Sequence, residues 1–280
     1  MELLVARNPD PASRLPYLLL VPLEGGKVFR AREPWPRTTA VYCHPVPLED
    51  WPAEPEILER VPLKACTRRG AAIDLVADRR REQRSQLVVT RARGRQVVFW
   101  QAPRTTRQSR PGVRVPRARA QGLPELTVLV DTRERYPYRF AAQGDRVATR
   151  RQALPCGDYA VADDRGLVGV VERKSLADLV GSLTSGRLRY QLAELAAQPR
   201  AALVVEDRWA KVFALEHLRP GQVADGLAEV AVRWPTVPLV WCDNRKLAEE
   251  WTYRFLAACL RHGEERIWAD QLLDPPAPQP

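Results

Sequence analysis

The rhythm of apolar and polar positions changes near residue 125. Before it, short β-prone runs (Tyr17–Leu20, Lys27–Arg30, Ala40–Tyr42, Ala72–Val76) are punctuated by Pro and Gly, which predicts strands and turns. The clearest element is a hairpin. Gln86–Thr90 (QLVVT) and Gln96–Trp100 (QVVFW) carry β-branched and aromatic residues, and the loop RARGR between them holds Gly94 for the turn. Residues 1–100 therefore read as a β-rich N-terminal domain.

Beyond the change, short strands alternate with helices. Leu126–Val130 (LTVLV) reads as a buried strand, Tyr138–Gln143 as a short helix, and Val147–Leu154 and Asp158–Val161 as strands. Gly169–Arg173 is a third strand. It leads into a helix at Ser175–Leu183, where Ser175 can cap with Asp178 three residues on. Arg187–Gln198 and Val223–Val232 suit helices, and Ala202–Glu206 and Val237–Cys242 suit strands. The last helix, about 245–261, places Leu247, Trp251, Phe255, Leu256, Cys259 and Leu260 on one apolar face, read as core or as the seam of a homodimer. The class is α/β, a mixed sheet flanked by helices behind the β-rich N-terminal domain.

Charge sharpens this division. The 280 residues carry a net charge of +10, unevenly spread. Residues 1–78 hold ten Lys/Arg and eleven Asp/Glu, and residues 120–280 hold twenty-one and twenty-two. Residues 79–119 hold thirteen Arg against the single acid Glu82, so the whole positive excess lies there. Such a segment suits nucleic-acid phosphates, with Arg104, Arg107 and Arg110 as candidate contacts. The hairpin tip with Arg91, Arg93 and Arg95 reads as a DNA contact or as a plain surface loop. Residues 101–122 have too little apolar surface to offset ordering entropy and read as an Arg/Pro-rich linker. Residues 266–280 read as a mobile C-terminal tail.

Composition also excludes classes. With 45% hydrophobic residues the chain is not wholly disordered. No apolar run approaches the roughly 20 residues of a membrane span, since Leu15–Leu23 is broken by Pro16 and Pro22. The start lacks a secretory pattern, so the expected compartment is the cytoplasm, with no membrane partner. Cys43, Cys66, Cys156, Cys242 and Cys259 form no CxxC pair. Cys43, His44 and Cys66 fit no metal spacing and read as buried thiols with a neighbour.

Four short blocks concentrate charge at strand ends: VLVDTRE with Asp131, Arg133 and Glu134; PCGDYAV with Asp158; VVERKSLADL with Glu172, Arg173, Lys174 and Asp178; and SLTSGRLRYQ with Arg187 and Gln191. On a strand, residues i and i+2 share a face, so Glu172 and Lys174 project together. Asp158 lies fourteen residues earlier, far enough for a hairpin to return it beside Glu172. Asp131, Asp158 and Glu172 would then offer hard oxygen ligands to Mg²⁺ or Mn²⁺. A cation such as Lys174 beside them completes the equipment for phosphodiester hydrolysis. Taken singly, each charge reads as a surface salt bridge; taken together they read as a site.

These blocks resemble the nuclease domain of the XPF family of structure-specific endonucleases. The family signature runs D-x-R-E, L-x-x-G-D-Y, V-E-R-K-S-x-x-D-L-x-x-S-L and G-R-L-x-x-Q. Here it stands as Asp131–Glu134, Leu154–Tyr159, Val171–Leu183, and Gly186–Leu188 with Gln191, all in order. The resemblance implies a restriction-endonuclease-like core over residues 123–265, a divalent metal, and cutting of branched or junction DNA in repair or recombination. It assigns Asp131, Asp158 and Glu172 to the metal and Lys174 to catalysis. Glu134, Arg173 and Asp178 complete the catalytic cluster, with Arg187 and Gln191 as nearby DNA-binding or helix-surface residues. The family also includes catalytically inactive partner subunits, which lose acidic site residues; every one is retained here. A third reading keeps the metal centre but gives it another DNA preference.

Overall fold

The structure, a computed structural model, describes residues 1–92, 95–105 and 125–273; of these, the side chains of Arg91, Ala92 and Arg95 are not described. The chain divides into two compact units, Met1–Pro116 with Glu264–Pro280, and Arg117–Gly263.

The first unit is a closed barrel of eight antiparallel strands: β1 (Glu2–Arg7), β2 (Tyr17–Val21), β3 (Lys27–Ala31), β4 (Val41–Val46), β5 (Ile57–Arg69), β6 (Ala72–Ala77), β7 (Arg84–Ala92) and β8 (Arg95–Gln101). Their order is β1-β2-β3-β4-β8-β7-β6-β5. Closure rests on two long-range pairings, β4 with β8 (Val41 opposite Trp100) and β1 with β5 (Leu3 opposite Val61). The predicted hairpin is β7–β8, with Thr90 opposite Val97; its tip, Arg93 and Gly94, lies outside the described residues.

Alternation along each strand sends Leu3, Val5, Phe29, Ile73, Leu75, Leu87 and Trp100 into one core. Trp100 is fully buried, edge-on to Trp35 at 4.8 Å, and its indole N–H donates to Ser85 Oγ at 3.0 Å. A bulky indole can sit there because its one polar atom has a partner.

The second unit is a six-stranded mixed sheet: β9 (Leu126–Asp131), β10 (Val147–Gln152), β11 (Tyr159–Asp163), β12 (Gly166–Lys174), β13 (Ala201–Val205) and β14 (Leu239–Trp241), in the order β10-β9-β11-β12-β13-β14. Only β11 runs against its neighbours β9 and β12; the other pairings are parallel. One consequence positions the site. The C-terminal ends of β9, β12 and β13 and the entrance to β11 all meet at the same edge of the sheet.

Helices α1 (Leu176–Thr184), α2 (Arg187–Ala196) and α3 (Pro220–Arg233) pack Leu179, Leu188, Leu192, Leu195, Val223 and Leu227 with Leu129, Ala160, Val170, Leu203 and Val205 of the sheet. Helix α4 (Arg245–Leu273) packs Ala248, Tyr253, Leu256 and Cys259 against Val128, Val130, Val161, Val171 and Val204 on the other face. Strand alternation thus assigns every sheet residue to a face.

Three expectations are corrected. Tyr138–Gln143 is not a helix. A short 3-10 turn forms at Ala141–Arg146 instead, after Phe140 in a left-handed conformation (φ 52°). Tyr138 and Phe140 serve as core aromatics, Tyr138 stacked on Tyr159 at 4.7 Å. Helix α4 does not stop near Arg261 but runs to Leu273, so residues 266–273 are helix rather than tail; Ala269 and Leu273 are buried in the barrel's core, and that burial supports the added turns. Leu247, expected on the apolar face, is about half exposed, whereas Ala248, Thr252 and Leu256 are among the buried positions. Most of the expected linker (106–122) and the end of the chain (274–280) lie outside the described residues. Among the described residues no helix is long and apolar enough to cross a membrane.

Candidate active site

Asp131 is the last residue of β9, Asp158 precedes β11, and Glu172 and Lys174 end β12. Backbone bonds stitch these ends together: Asp131 N donates to Asp158 O and Asp158 N to Val171 O, both at 2.9 Å. Gly157 makes the approach feasible. Its φ is +74°, and a Cβ there would lie 2.4 Å from Val170 Cγ1, so only glycine brings the chain into β11 at this spot.

Alternation then sorts the side chains. Leu129, Ala160 and Val170 face α1–α3, so Asp131, Asp158, Glu172 and Lys174 project on that side. Lys174 Nζ lies 3.2 Å from Glu172 Oε1, as the i, i+2 spacing predicts. Gln191 of α2 donates to the same Glu172 oxygen at 2.9 Å. A pocket of 210 Å³ is lined by Asp131, Arg133, Glu134, Asp158, Glu172 and Gln191, among others.

The site buries charge. Asp131 is 1% exposed, Lys174 4% and Glu134 7%. Such groups need partners or they shift their ionisation. Asp131 has a full set: Arg133 Nε and backbone N both donate to Oδ1 at 2.7 Å, and Leu154 N donates to Oδ2 at 2.7 Å. The Arg133 side chain, with these amides, holds the Asp131 carboxyl down at about 2. Asp158 is less provided for. Burial first, and then the charge of Glu172, push it up to about 7, against the single bond from Arg173 N at 2.7 Å.

Not every expected residue joins this cluster. Arg173 points to the opposite face, where it bridges Glu134 and Glu206. Asp178 is exposed and closes the N-cap of α1 with Ser175, whose hydroxyl donates to it at 2.6 Å. Arg187 and Arg104 are exposed and do not line the pocket. Arg93, Arg107 and Arg110 lie outside the described residues, and Arg91 and Arg95 lie in β7 and β8 without described side chains. No site role was expected for Glu194, which lines the pocket, or for Tyr138, Glu206 and Arg245, which bond one another on the other face. Their only sequence signal was Glu206 at the end of the ALVVE strand, in register beyond Lys174.

Residues 130–255 match the ERCC4 domain family, a stretch that contains all four clustered side chains. Over that stretch the second unit is similar to the ERCC4 domain, in line with the resemblance of its blocks to the XPF family. The DNA repair endonucleases XPF of Cricetulus griseus and Mus musculus are each 29% identical to this chain over 184 residues. That match covers 61% of this chain but only 18% of each relative, so the chain spans under a fifth of the length of these curated relatives. Among solved structures, XPF from Aeropyrum pernix is similar at 26% identity and a TM-score of 0.40, over 51% of this chain and 69% of that one. Its complex with DNA is similar at 23% and 0.37, over 52% and 66%.

The metal expected in the second unit can be tested against the residues present. Among the described residues no three His, Cys, Asp or Glu side chains stand together as a ready ligand set. Asp131 is instead engaged by Arg133, whose guanidinium donates to both of its carboxylate oxygens. The donor chemistry nevertheless fits a hard divalent ion. Burial and the charge of Glu172 raise the Asp158 carboxyl, and Gln191 Oε1 is a buried acceptor with no partner among the described residues. Arg133 is no fixture, for its side chain is 70% exposed.

Proposed function

We propose that the second unit is a divalent-metal-dependent DNA endonuclease, hydrolysing phosphodiester bonds at branched or single-strand/double-strand junction DNA in repair or recombination. The single observation behind this reading is the convergence, at one sheet edge beside an open pocket, of Asp131, Asp158, Glu172 and Lys174. Asp158, Glu172 and, once released from Arg133, Asp131 would hold Mg²⁺ or Mn²⁺. When bound, that ion supplies charge neutralisation at the phosphate and acidifies a water.

The chain's own residues do the rest. Burial and the charge of Glu172 raise the Asp158 carboxyl, and a cation bound beside it would relieve that repulsion. Lys174 presents a buried ammonium, held by Glu172, that can orient the attacking water or meet charge on the phosphate. Gln191 fixes the Glu172 carboxylate so that it cannot fold away. Arg133, exposed along its length, is placed to exchange its bond with Asp131 for one to the DNA phosphate. The Arg-rich residues 79–119 supply sequence-independent grip on the backbone.

The test is cleavage of labelled flap, fork, bubble and duplex DNA with Mg²⁺, Mn²⁺ or EDTA. Metal-dependent cutting of at least one junction is expected. Asp158→Asn or Lys174→Ala should lower it by at least about 10³-fold while DNA binding persists. Cleavage that survives both substitutions would remove the site assignment. A wild-type protein that cuts nothing with any metal would favour the inactive partner subunit.

A further inference from the structure

We infer that Glu206, acting through Arg173, is a positioning residue of this centre: an ionic clamp on one face of the sheet fixes the metal-site carboxylate Asp158 on the other. The inference deepens the nuclease reading and rests on it.

Strand alternation separates the two faces. Val171 and Val204 belong to the core beneath α4, so Arg173 and Glu206, two positions further along their strands, emerge on that side. Glu172 and Lys174 emerge on the side of α1–α3. Arg173 therefore faces away from the pocket, and both of its terminal nitrogens are committed. Nη1 bonds Glu206 Oε2 at 3.0 Å, and Nη2 bonds Glu134 Oε2 at 3.1 Å. Its side chain is 18% exposed, against 6% for Glu134 and 11% for Glu206. Burial alone would weaken the guanidinium's charge, and Glu206 and then Glu134 more than reverse that. A guanidinium held this way cannot reach a phosphate on the opposite face.

Glu206 is the hub. Its second oxygen takes a bond from Tyr138 Oη at 2.9 Å and from Arg245 Nη1 at 3.0 Å. Arg245 also bonds the backbone carbonyl of Tyr136, and its guanidinium lies over the Tyr138 ring at 4.8 Å. Tyr138 stacks flat on Tyr159, the residue after Asp158, and its backbone N donates to Tyr159 Oη at 2.9 Å. Two carboxylates and two guanidinium groups thus balance. They tie together the ends of β12 and β13, the loop after β9 and the first turn of α4.

The effect reaches the pocket through the backbone. The N–H of Arg173 donates to Asp158 Oδ2 at 2.7 Å, the one hydrogen bond to this carboxylate among the described residues. A side chain clamped at both ends cannot swing, so the amide it carries points in one direction. Removing one partner of a buried pair leaves the other uncompensated, which loosens the network as a whole.

Glu206→Gln keeps the size and an acceptor for Tyr138 but removes the charge. We expect kcat on a labelled fork with Mg²⁺ to fall about 30-fold, with KM for DNA unchanged within about twofold. In the metal-free protein the Arg173 amide should exchange with solvent about tenfold faster. Arg173→Lys should not rescue, because one ammonium cannot span two carboxylates as a planar fork does. Arg245→Met removes only the outer cation and should give the same pattern at about threefold, which keeps the test valid if Glu206→Gln does not fold. Unchanged kcat in both variants, or a loss carried by KM alone, would overturn the inference. If wild type cuts nothing, the nuclease reading falls by itself, and unchanged Arg173 exchange in the variants would then overturn the clamp separately.

Discussion

The two units of this chain treat charge in opposite ways. The barrel's ion pairs stay at or near its surface: the side chains of Arg7–Glu56, Arg60–Glu2 and Lys64–Asp78 are between 44% and 60% exposed, and even Arg68, paired with Asp270, is 23% exposed. Its interior is apolar, with Trp100 answered by Ser85. The second unit instead buries Asp131, Glu134, Lys174 and Arg173 at one edge of its sheet. Burying charge is costly unless each group is paired, and a fold gains little stability even when they are. Exposed pairs therefore carry little information, whereas a buried and only partly compensated set marks chemistry. The functional reading belongs to the second unit for this reason.

The largest test of the contrast concerns the barrel's packing. Trp100→Ala removes a fully buried indole and should cost about 3–5 kcal/mol in denaturant unfolding. A loss below about 1 kcal/mol would mean that the barrel does not depend on its core in the way its burial implies.

A second test uses pH. Asp158 is raised to about 7 in the folded chain, above its ordinary value of 3.8, so the folded state holds that proton more tightly than the unfolded one. Its contribution to stability is complete below pH 4 and is lost as pH rises towards 7. The metal-free protein should therefore lose melting temperature across this window relative to Asp158→Asn. His44 of the barrel runs the other way, since burial and the charge of Arg30 lower its pKa and its contribution is lost as pH falls below 6.5. Parallel melting curves for wild type and Asp158→Asn between pH 4 and 7 would deny the strain at the carboxylate pair.

The smallest effect is expected at an exposed pair. Lys64→Ala should change stability by no more than about 1 kcal/mol. A larger loss would erase the distinction between the two units.

Much of the second unit was legible because its signals are local. An apolar run ends in Asp131, a Gly–Asp pair opens a strand, and the i, i+2 rule alone places Lys174 beside Glu172. Gly157 shows why the pair is Gly–Asp: the chain before β11 has no room for a Cβ. Glu206, Tyr138 and Arg245 were hidden because no short spacing joins them. They meet through a parallel register between β12 and β13 and the start of α4. Arg173 sits in sequence between Glu172 and Lys174, yet alternation puts it on the other face, with Glu134 and Glu206. In the barrel the strands were visible, but closure depends on β1 meeting β5 and β4 meeting β8 across long stretches of chain. The last helix was cut short because its charged stretch near Gly263 looks like an end, while Ala269 and Leu273 find their burial in the barrel.

The central proposal is that Asp158 and Glu172 hold a divalent cation, and calorimetric titration of the purified protein with Mn²⁺ tests it without any DNA. The account predicts saturable binding by the wild-type chain that is lost in Asp158→Asn. Equal binding by both proteins, or none by either, would contradict it.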